Sequence, residues 1–188
     1  MKRASIAASL GALLYFVWGF VFWVVLPFGP IVFRQTGDEP ALARQIAISI
    51  PSPGSYTVPG TELMASDPAE YKRRREAGPR ATLFVYPKGS SMISLVSLLG
   101  GFGTMLAATS LMTLLLVLVQ PAGYARRVLV VLLAGATGIF LGDLGFPFWY
   151  DWPWGLWLAS AAFHLSGWLF VALLLAAIVK PIRAEPNA

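Results

Sequence analysis

The sequence predicts an all-α membrane protein with four transmembrane helices in a bundle and a small α+β extracytoplasmic cap between helices 1 and 2. Hydrophobic residues make up 57% of the 188 residues and charged residues only 12%, about half the charged share of soluble globular domains. Four apolar runs are each long enough to cross a bilayer, which takes roughly 20 helical residues. A charged, proline-containing segment separates the first run from the second, and we expect it to face water.

The first transmembrane helix is expected within residues 1–30. Lys2 and Arg3 precede an apolar run at 4–26, which is the charge layout of a signal peptide. The run is long for a signal peptide and no small-residue cleavage site follows it, so we interpret it as an uncleaved membrane anchor. Pro27 begins a stretch of proline and glycine that ends the helix.

The segment 31–89 is the predicted cap domain. Asp38 precedes apolar residues at helical spacing, and Asp67 begins a capping-box pattern, so we predict two helices there. Residues 55–58 and 81–86 are rich in β-branched and aromatic side chains, which predicts two strands. So small a segment buries little apolar surface, and we therefore expect it to lean on the bundle or on a partner.

Transmembrane helices 2–4 are expected within residues 90–181, with spans at 91–119, 128–145 and 154–179. Small side chains recur along one face of the second span, at Ser90, Ser94, Ser97, Gly101, Thr104 and Ala108. The third span has a matching face formed by Gly135, Gly138, Gly142 and Gly145. Because lipid does not drive apolar helices together, small residues that permit close approach favour association. We therefore predict that these two faces pack on each other and that Gly138→Leu disrupts the bundle.

The distribution of lysine and arginine predicts that both termini are cytoplasmic, with 182–188 as a cytoplasmic tail. In this orientation the cytoplasmic segments contain Lys2, Arg3, Arg126, Arg127, Lys180 and Arg183. The aromatic loop at 146–154 holds neither residue type, and its composition is typical of a membrane interface. The basic run 72–75 lies in the long cap segment, which translocates largely regardless of charge. Its interleaving with glutamates predicts a solvated helix face and no nucleic-acid partner.

His164 is expected near the middle of the bilayer, about 15 Å along the fourth helix from Trp154. Ser160, Gly167 and Val171 share its helix face, which predicts that the imidazole points into the bundle. The favoured interpretation is a neutral imidazole hydrogen-bonded to a neighbouring helix. The alternatives are a proton relay or an axial ligand to a haem or chlorophyll-like pigment. A single histidine completes a six-coordinate haem only across a symmetric dimer.

Asp143 is the second intramembrane ionisable residue, and it is predicted about one to two turns below the outer surface. The favoured interpretation is that it caps the amides of the aromatic loop or pairs with a cap arginine such as Arg80. The alternative is a cation or proton site. By helical rise, Asp143 and His164 are expected about two turns apart, which makes direct pairing unfavourable.

The sequence predicts no catalytic residues, no metal site and no bound cofactor, with His164 as the one low-ranking cofactor candidate. It contains no cysteine, which excludes thiolate nucleophiles, iron–sulfur clusters and cysteine-ligated zinc. No carboxylate is in register with His164 for a Ser-His-Asp triad. The glycine-rich stretch 100–103 lies inside a span, without the preceding strand or following lysine that a phosphate loop requires, so helix packing explains it better.

The N-terminal half contains three fragments with a distinctive pattern. They are Phe16-Val17-Trp18-Gly19 with Leu26-Pro27, Pro53-Gly54-Ser55-Tyr56 to Pro59-Gly60, and Gly78-Pro79 leading to Val85-Tyr86-Pro87-Lys88-Gly89. Together they resemble a group of small bacterial inner-membrane proteins without an assigned function. The resemblance implies a bacterial inner membrane and an extracytoplasmic cap, and it implies no functional residue.

These patterns predict an integral membrane accessory or scaffold subunit that packs in a larger membrane protein complex. The expected partners are other integral membrane subunits and the lipid bilayer. One alternative is a small oligomeric transporter or channel lined by Asp143 and His164, and a second is a haem- or pigment-binding subunit that uses His164. A membrane enzyme ranks last.

Overall fold

The structure is a computed structural model that describes residues 2–89, 91 and 94–180. The chain divides into two compact units, one formed by Met1–Arg34 with Ile93–Ala188 and the other by Gln35–Met92. Ser90 of the predicted small-residue face and the predicted tail at 182–188 lie outside the described residues.

The first unit begins with helix α1, Lys2–Phe20, which continues directly into a π-helical turn at Val21–Val25. Leu26 is extended and ends this helix, immediately before Pro27. A single turn of helix, α2, follows at Gly29–Val32. The helix therefore ends where the proline- and glycine-rich stretch predicts.

The second unit contains three helices and two strands among its described residues. In chain order they are α3 (Glu39–Ser49), β1 (Gly54–Val58), α4 (Thr61–Ser66), α5 (Pro68–Ala77) and β2 (Ala81–Val85). The strands pair antiparallel, with Gly54 opposite Val85 and Val58 opposite Ala81. Both predicted strands and both predicted helices are present. The short helix α4 was not predicted, because no side chain caps it and it is only six residues long.

The two predicted helix caps form with the expected geometry. The Asp38 carboxylate accepts a hydrogen bond from the amide of Ala41 at 2.9 Å, and Asp67 accepts one from the amide of Glu70 at 3.0 Å. The Glu70 carboxylate does not complete the capping box, because it binds Arg73 and Arg74 at 2.7 Å each. These hydrogen bonds lower the pKa of Glu70 to about 2. The basic run is thus paired along the solvated surface of α5.

The first unit resumes with α6 (Leu95–Val119) and α7 (Tyr124–Gly138). A π-helical turn at Ile139–Asp143 leads from α7 into α8 (Gly145–Tyr150), and α9 occupies Trp154–Ile178. Within the described part of the chain, four helices are long and apolar enough to cross a membrane: Lys2–Val25, Leu95–Val119, Tyr124–Tyr150 and Trp154–Ile178. The four predicted apolar runs are therefore confirmed as helices.

The long helices pack in the order α6, α1, α9, α7. Helix α1 packs on both α6 and α9, and α7 packs on α9, whereas α6 and α7 meet only sparsely. The hydroxyl oxygen of Thr109 on α6 lies 2.9 Å from the carbonyl oxygen of Ala8 on α1. The indole nitrogen of Trp18 on α1 donates a hydrogen bond to the hydroxyl of Ser166 on α9 at 3.0 Å. The core lies along α1 and α9, where Tyr15, Val171 and Leu175 are buried.

The predicted contact between the small-residue faces of the two middle helices is wrong. On α6, Ser94 caps the helix, and Ser97 and Thr104 are exposed. For a Cβ built at Gly101, the described atom nearest to it outside the helix's own backbone belongs to Phe16 of α1, 3.9 Å away. The physical reason is that a small residue permits close approach by any neighbour, and the neighbours here are large aromatic side chains.

The glycines of the third long helix differ among themselves. A Cβ at Gly135 would lie 2.7 Å from Trp168 of α9, so this glycine does lie at a helix contact. Beside Gly138 and Gly142 no described atom lies within 4 Å of such a Cβ, so Gly138→Leu is not expected to disrupt the packing. Gly145 faces the carbonyl of Phe140 on its own helix.

The aromatic segment between the third and fourth long helices is ordered as a stack. Its interpretation as a loop is wrong for 146–150, which belong to α8. Phe146 packs against Trp157 with ring centroids 4.9 Å apart, and Trp152 stacks on Trp157 at 5.2 Å. Six-residue helices need tertiary support, and this stack supplies it.

Candidate functional site

The two intramembrane ionisable residues of the sequence analysis lie in direct contact. His164 Nδ1 is 2.6 Å from Asp143 Oδ2, and the Ser160 hydroxyl donates a hydrogen bond to Asp143 Oδ1 at 2.7 Å. The Asp143 side chain is 10% exposed and that of His164 is 38% exposed. The prediction that these two residues are too far apart to pair is therefore wrong, and we refer to them as the Asp143–His164 dyad.

The prediction failed because the third long helix extends further than its apolar run indicates. Counting from the helical end at Tyr150, Asp143 lies seven residues in, or about 10 Å. Counting from Trp154, His164 lies ten residues in, or about 15 Å. The difference between these two depths is about one helical turn, and side chains that lean along their helices can span that distance. The favoured partner Arg80 belongs to the second unit and is not needed to explain Asp143.

A π-helical turn positions Asp143. Asp143 is the last residue of the turn at Ile139–Asp143, and Leu144 follows with its amide bonded to the carbonyl of Ile139. Single π-helical turns insert an extra residue into a helix and occur often at functional sites. On α9, Ser160 and His164 are four residues apart and share one face, as the sequence predicts, so both reach the same carboxylate.

The dyad forms one side of an open cleft of about 390 Å³ between the long helices. All four long helices contribute to its lining. The residues are Tyr15, Thr104, Met105, Ala108, Gly135, Gly138, Ile139, Gly142, Asp143, Phe163, His164 and Trp168. Because α6 and α7 meet only sparsely, the cleft lies where the row of helices does not close.

The hydrogen bonds define which nitrogen of His164 is available to a ligand. An ionised carboxylate only accepts hydrogen bonds, so with Asp143 ionised the donor of the 2.6 Å hydrogen bond is Nδ1 of His164. Nε2 then accepts a hydrogen bond in the neutral ring and donates one in the imidazolium. Among the described residues none forms a hydrogen bond with Nε2. Nε2 is therefore the ring nitrogen left for a ligand.

The arrangement does not form a nucleophilic triad. In such a triad the serine hydroxyl bonds to the histidine, and the carboxylate bonds to the other ring nitrogen. Here Ser160 donates to Asp143, so the serine oxygen is not activated by His164. Over the described residues, no group of three or more potential metal ligands occurs, so the dyad does not form part of a larger ligand cluster.

A second groove, of about 590 Å³, lies alongside α1 and α6. Apolar and aromatic residues line it, including Phe16, Trp23 and Leu98, and it shares Met105 and Phe163 with the cleft. The groove is larger than the cleft, but the titratable groups line the cleft only, and we therefore place the candidate site at the dyad.

Comparison with known proteins gives no family assignment. No protein-family model matches the chain, and neither the curated proteins nor the solved structures contain a significant match. The function must therefore be argued from the dyad, the cleft and the helix surfaces.

Proposed function

We propose that the chain is an integral membrane subunit of a larger membrane protein assembly, with a packing or scaffold role and no catalytic activity of its own. The observation that carries this proposal is a row of small, exposed residues on one face of α6. The row consists of Gly100, Gly103, Ala107 and Ser110, at steps of three, four and three residues. No described atom lies within 4 Å of a Cβ built at either glycine.

The position of α6 explains why this row is free. Helix α6 lies at one edge of the helix row. Only 17% of its apolar 18-residue stretch is buried, against 39% of the corresponding stretch of α9. In lipid, van der Waals packing between closely approaching backbones is a main source of helix association. A row of small residues facing lipid leaves that source unused, and a helix from another subunit would use it.

The test is purification of the full chain in mild detergent, followed by native mass spectrometry. We expect a stoichiometric membrane partner that is lost in Ala107→Leu and kept in Ala177→Leu, since Ala177 is also exposed but lies on α9. A lone monomer, or equal loss of the partner in both variants, would contradict the proposal. Assembly of the chain with itself alone would favour the oligomeric transporter or channel.

A proton-handling role is the second candidate, and the contact between Asp143 and His164 favours it. A buried carboxylate in contact with an imidazole places two ionisable groups side by side within a span, which is the arrangement expected of a proton pathway. Proteoliposomes containing a pH-sensitive dye test this role. We expect acidification driven by a potassium diffusion potential in the wild type and its loss in Asp143→Asn; identical rates in both would remove this candidate.

A haem- or pigment-binding role depends on the same histidine. Nε2 of His164 is the nitrogen that would ligate an iron or magnesium centre, while Asp143 would orient the ring through Nδ1. An absorption spectrum of the purified protein tests this role, because a bound haem or chlorophyll-like pigment is coloured. A colourless preparation removes the role.

For the location, we propose a bacterial inner membrane with both termini in the cytoplasm. The support is the positive charge at Arg126 and Arg127, in the first turn of α7. Because the chain contains no cysteine, single cysteines introduced at Ser55 and Arg126 report the topology without background. A membrane-impermeant maleimide is expected to label Ser55→Cys in intact cells and Arg126→Cys only after permeabilisation. The reverse pattern would invert the orientation.

A further inference from the structure

We propose that the cleft binds the ring of a lipid-soluble hydroquinone, with one ring hydroxyl donating a hydrogen bond to Nε2 of His164. The inference is independent of the subunit role, because the cleft shares no residue with the exposed row on α6. It rests on the hydrogen-bond chemistry of the dyad, the shape of the cleft and its access from the bilayer.

The dyad selects the hydrogen-bonding group of the ligand. With Asp143 ionised and accepting from Nδ1, the lone pair of the neutral His164 ring is on Nε2, and His164 is among the residues that line the cleft. The matching ligand group is a hydroxyl that donates its hydrogen. The titratable side chains that line the cleft, among the residues described, are Tyr15, Asp143 and His164, and Asp143 is already engaged by Ser160 and the imidazole.

The walls of the cleft select a flat ring. Tyr15, Phe163 and Trp168 provide aromatic surfaces, and their ring centroids lie 5.6 Å apart for Tyr15–Phe163 and 5.2 Å for Tyr15–Trp168. Gly138 and Gly142 also line the cleft, and they add no side chain to fill the space. A cavity of about 150 Å³ is enough for benzene, so 390 Å³ accommodates a substituted ring and the beginning of its chain.

The open side of the cleft gives a lipid-soluble ligand its path. Thr104 of α6 and Gly138 of α7 line the cleft and are both exposed, at the place where these two helices meet only sparsely. A ligand with an apolar tail can therefore place its ring against His164 while the tail stays in the acyl chains. A water-soluble ligand would have to leave water to reach the same depth.

The single histidine of the chain makes the hydrogen bond directly observable. We label the histidine with nitrogen-15, place the full chain in nanodiscs and titrate it with reduced 2,3-dimethoxy-5-methyl-6-decyl-1,4-benzoquinone. The Nε2 resonance is expected to move upfield in a saturable way, because a lone pair that accepts a hydrogen bond is shielded. Decanol serves as the control ligand, with a hydroxyl and a chain but no ring.

Two glycine variants show whether the ligand lies in the cleft. Gly138→Leu adds a side chain at the lining of the cleft, where a Cβ meets no described atom outside the helix's own backbone, and we expect it to weaken binding at least about tenfold. Gly100→Leu makes the same change on the exposed face of α6 and is expected to bind like the wild type. An unchanged nitrogen-15 spectrum of ligand-free Gly138→Leu verifies that the dyad is intact in that variant.

Three results would overturn the proposal. They are an Nε2 resonance that does not move in the wild type, equal affinity in Gly138→Leu and the wild type, and decanol binding as tightly as the hydroquinone. The last result would mean that the cleft takes any hydroxyl-bearing lipid and has no preference for a ring.

Discussion

Gly135→Ala is expected to destabilise the protein, although it adds only one methyl group. A Cβ at this position would lie 2.7 Å from Cγ and 2.8 Å from Cδ1 of Trp168, well inside the roughly 3.5–4.0 Å at which carbon atoms attract. Trp168 cannot simply withdraw, because its ring packs edge-on against Tyr15 with centroids 5.2 Å apart. Overpacking of this kind costs about 1–3 kcal/mol.

Gly138→Ala is the matched control, because it makes the same change three residues along the same helix, where no described atom would touch the new methyl group. Alanine favours a helix over glycine by up to about 1 kcal/mol in water, so this variant is expected to be neutral or slightly more stable. Unfolding by sodium dodecyl sulfate in mixed micelles, followed by circular dichroism, measures both free energies. Equal free energies of unfolding in the two variants would refute the packing of α7 on α9.

Three further predictions concern single contacts. Arg127 is buried and donates from Nε to the carbonyl of Ala176 at 2.9 Å. Arg127→Met is therefore expected to lower the free energy of unfolding by about 1–3 kcal/mol. Arg126→Met removes the same charge from an exposed position and is expected to change the free energy of unfolding by less than about 0.5 kcal/mol. Thr109→Val removes the hydroxyl that lies 2.9 Å from Ala8 of α1 as well as 2.9 Å from Met105 of its own helix, and it is expected to cost about 0.6 kcal/mol in the same assay. Thr104→Val, whose hydroxyl bonds Gly101 of its own helix, leaves the contact between α6 and α1 unchanged. The folded-state pKa of Glu70, about 2, is below its ordinary 4.5. The stabilisation of α5 by the Glu70 carboxylate is therefore fully present above pH 4.5 and is lost as the pH falls towards 2. Carbon-13 titration of the Glu70 carboxyl in the full chain should show this low midpoint, and Arg73→Ala should raise the midpoint.

The number and position of the long helices follow from the sequence, because the bilayer length and the apolar runs leave little choice. A run such as 95–119 is too apolar and too long to be explained otherwise. The caps at Asp38 and Asp67 are equally local, since a carboxylate three residues before an amide is enough to form them.

The contacts between helices do not follow from the sequence in the same way. Gly135 and Gly138 are identical residues on one helix, yet one packs against Trp168 and the other faces open space. A small residue indicates that a neighbour can come close, but the identity of the neighbour depends on the packing order of the whole row. The same is true of Arg127. Its charge predicts the orientation of the chain in the membrane, but its hydrogen bond to Ala176 depends on the position of α9 beside α7.

The dyad was missed because its formation depends on where a helix ends. The aromatic composition of 146–150 is typical of a membrane interface and predicts a loop there. The packing of Phe146 against Trp157 instead holds the segment as a helix, which moves the end of the third long helix outward and places Asp143 deeper. Only a three-dimensional arrangement of aromatic rings reveals this.

The direction of the Asp143 carboxylate depends on the number of residues in the π-helical turn at Ile139–Asp143. In a regular α-helix each residue advances the azimuth by about 100°, and a π-helical turn absorbs one surplus residue without disturbing the helix on either side. Loss of one codon within this turn would therefore restore the regular hydrogen-bond ladder while α7 and α8 kept their own faces, and the change of direction would be confined to the turn that holds Asp143 against His164. A single deletion would thus test the contact between acid and imidazole while the helix contacts on either side stayed in place.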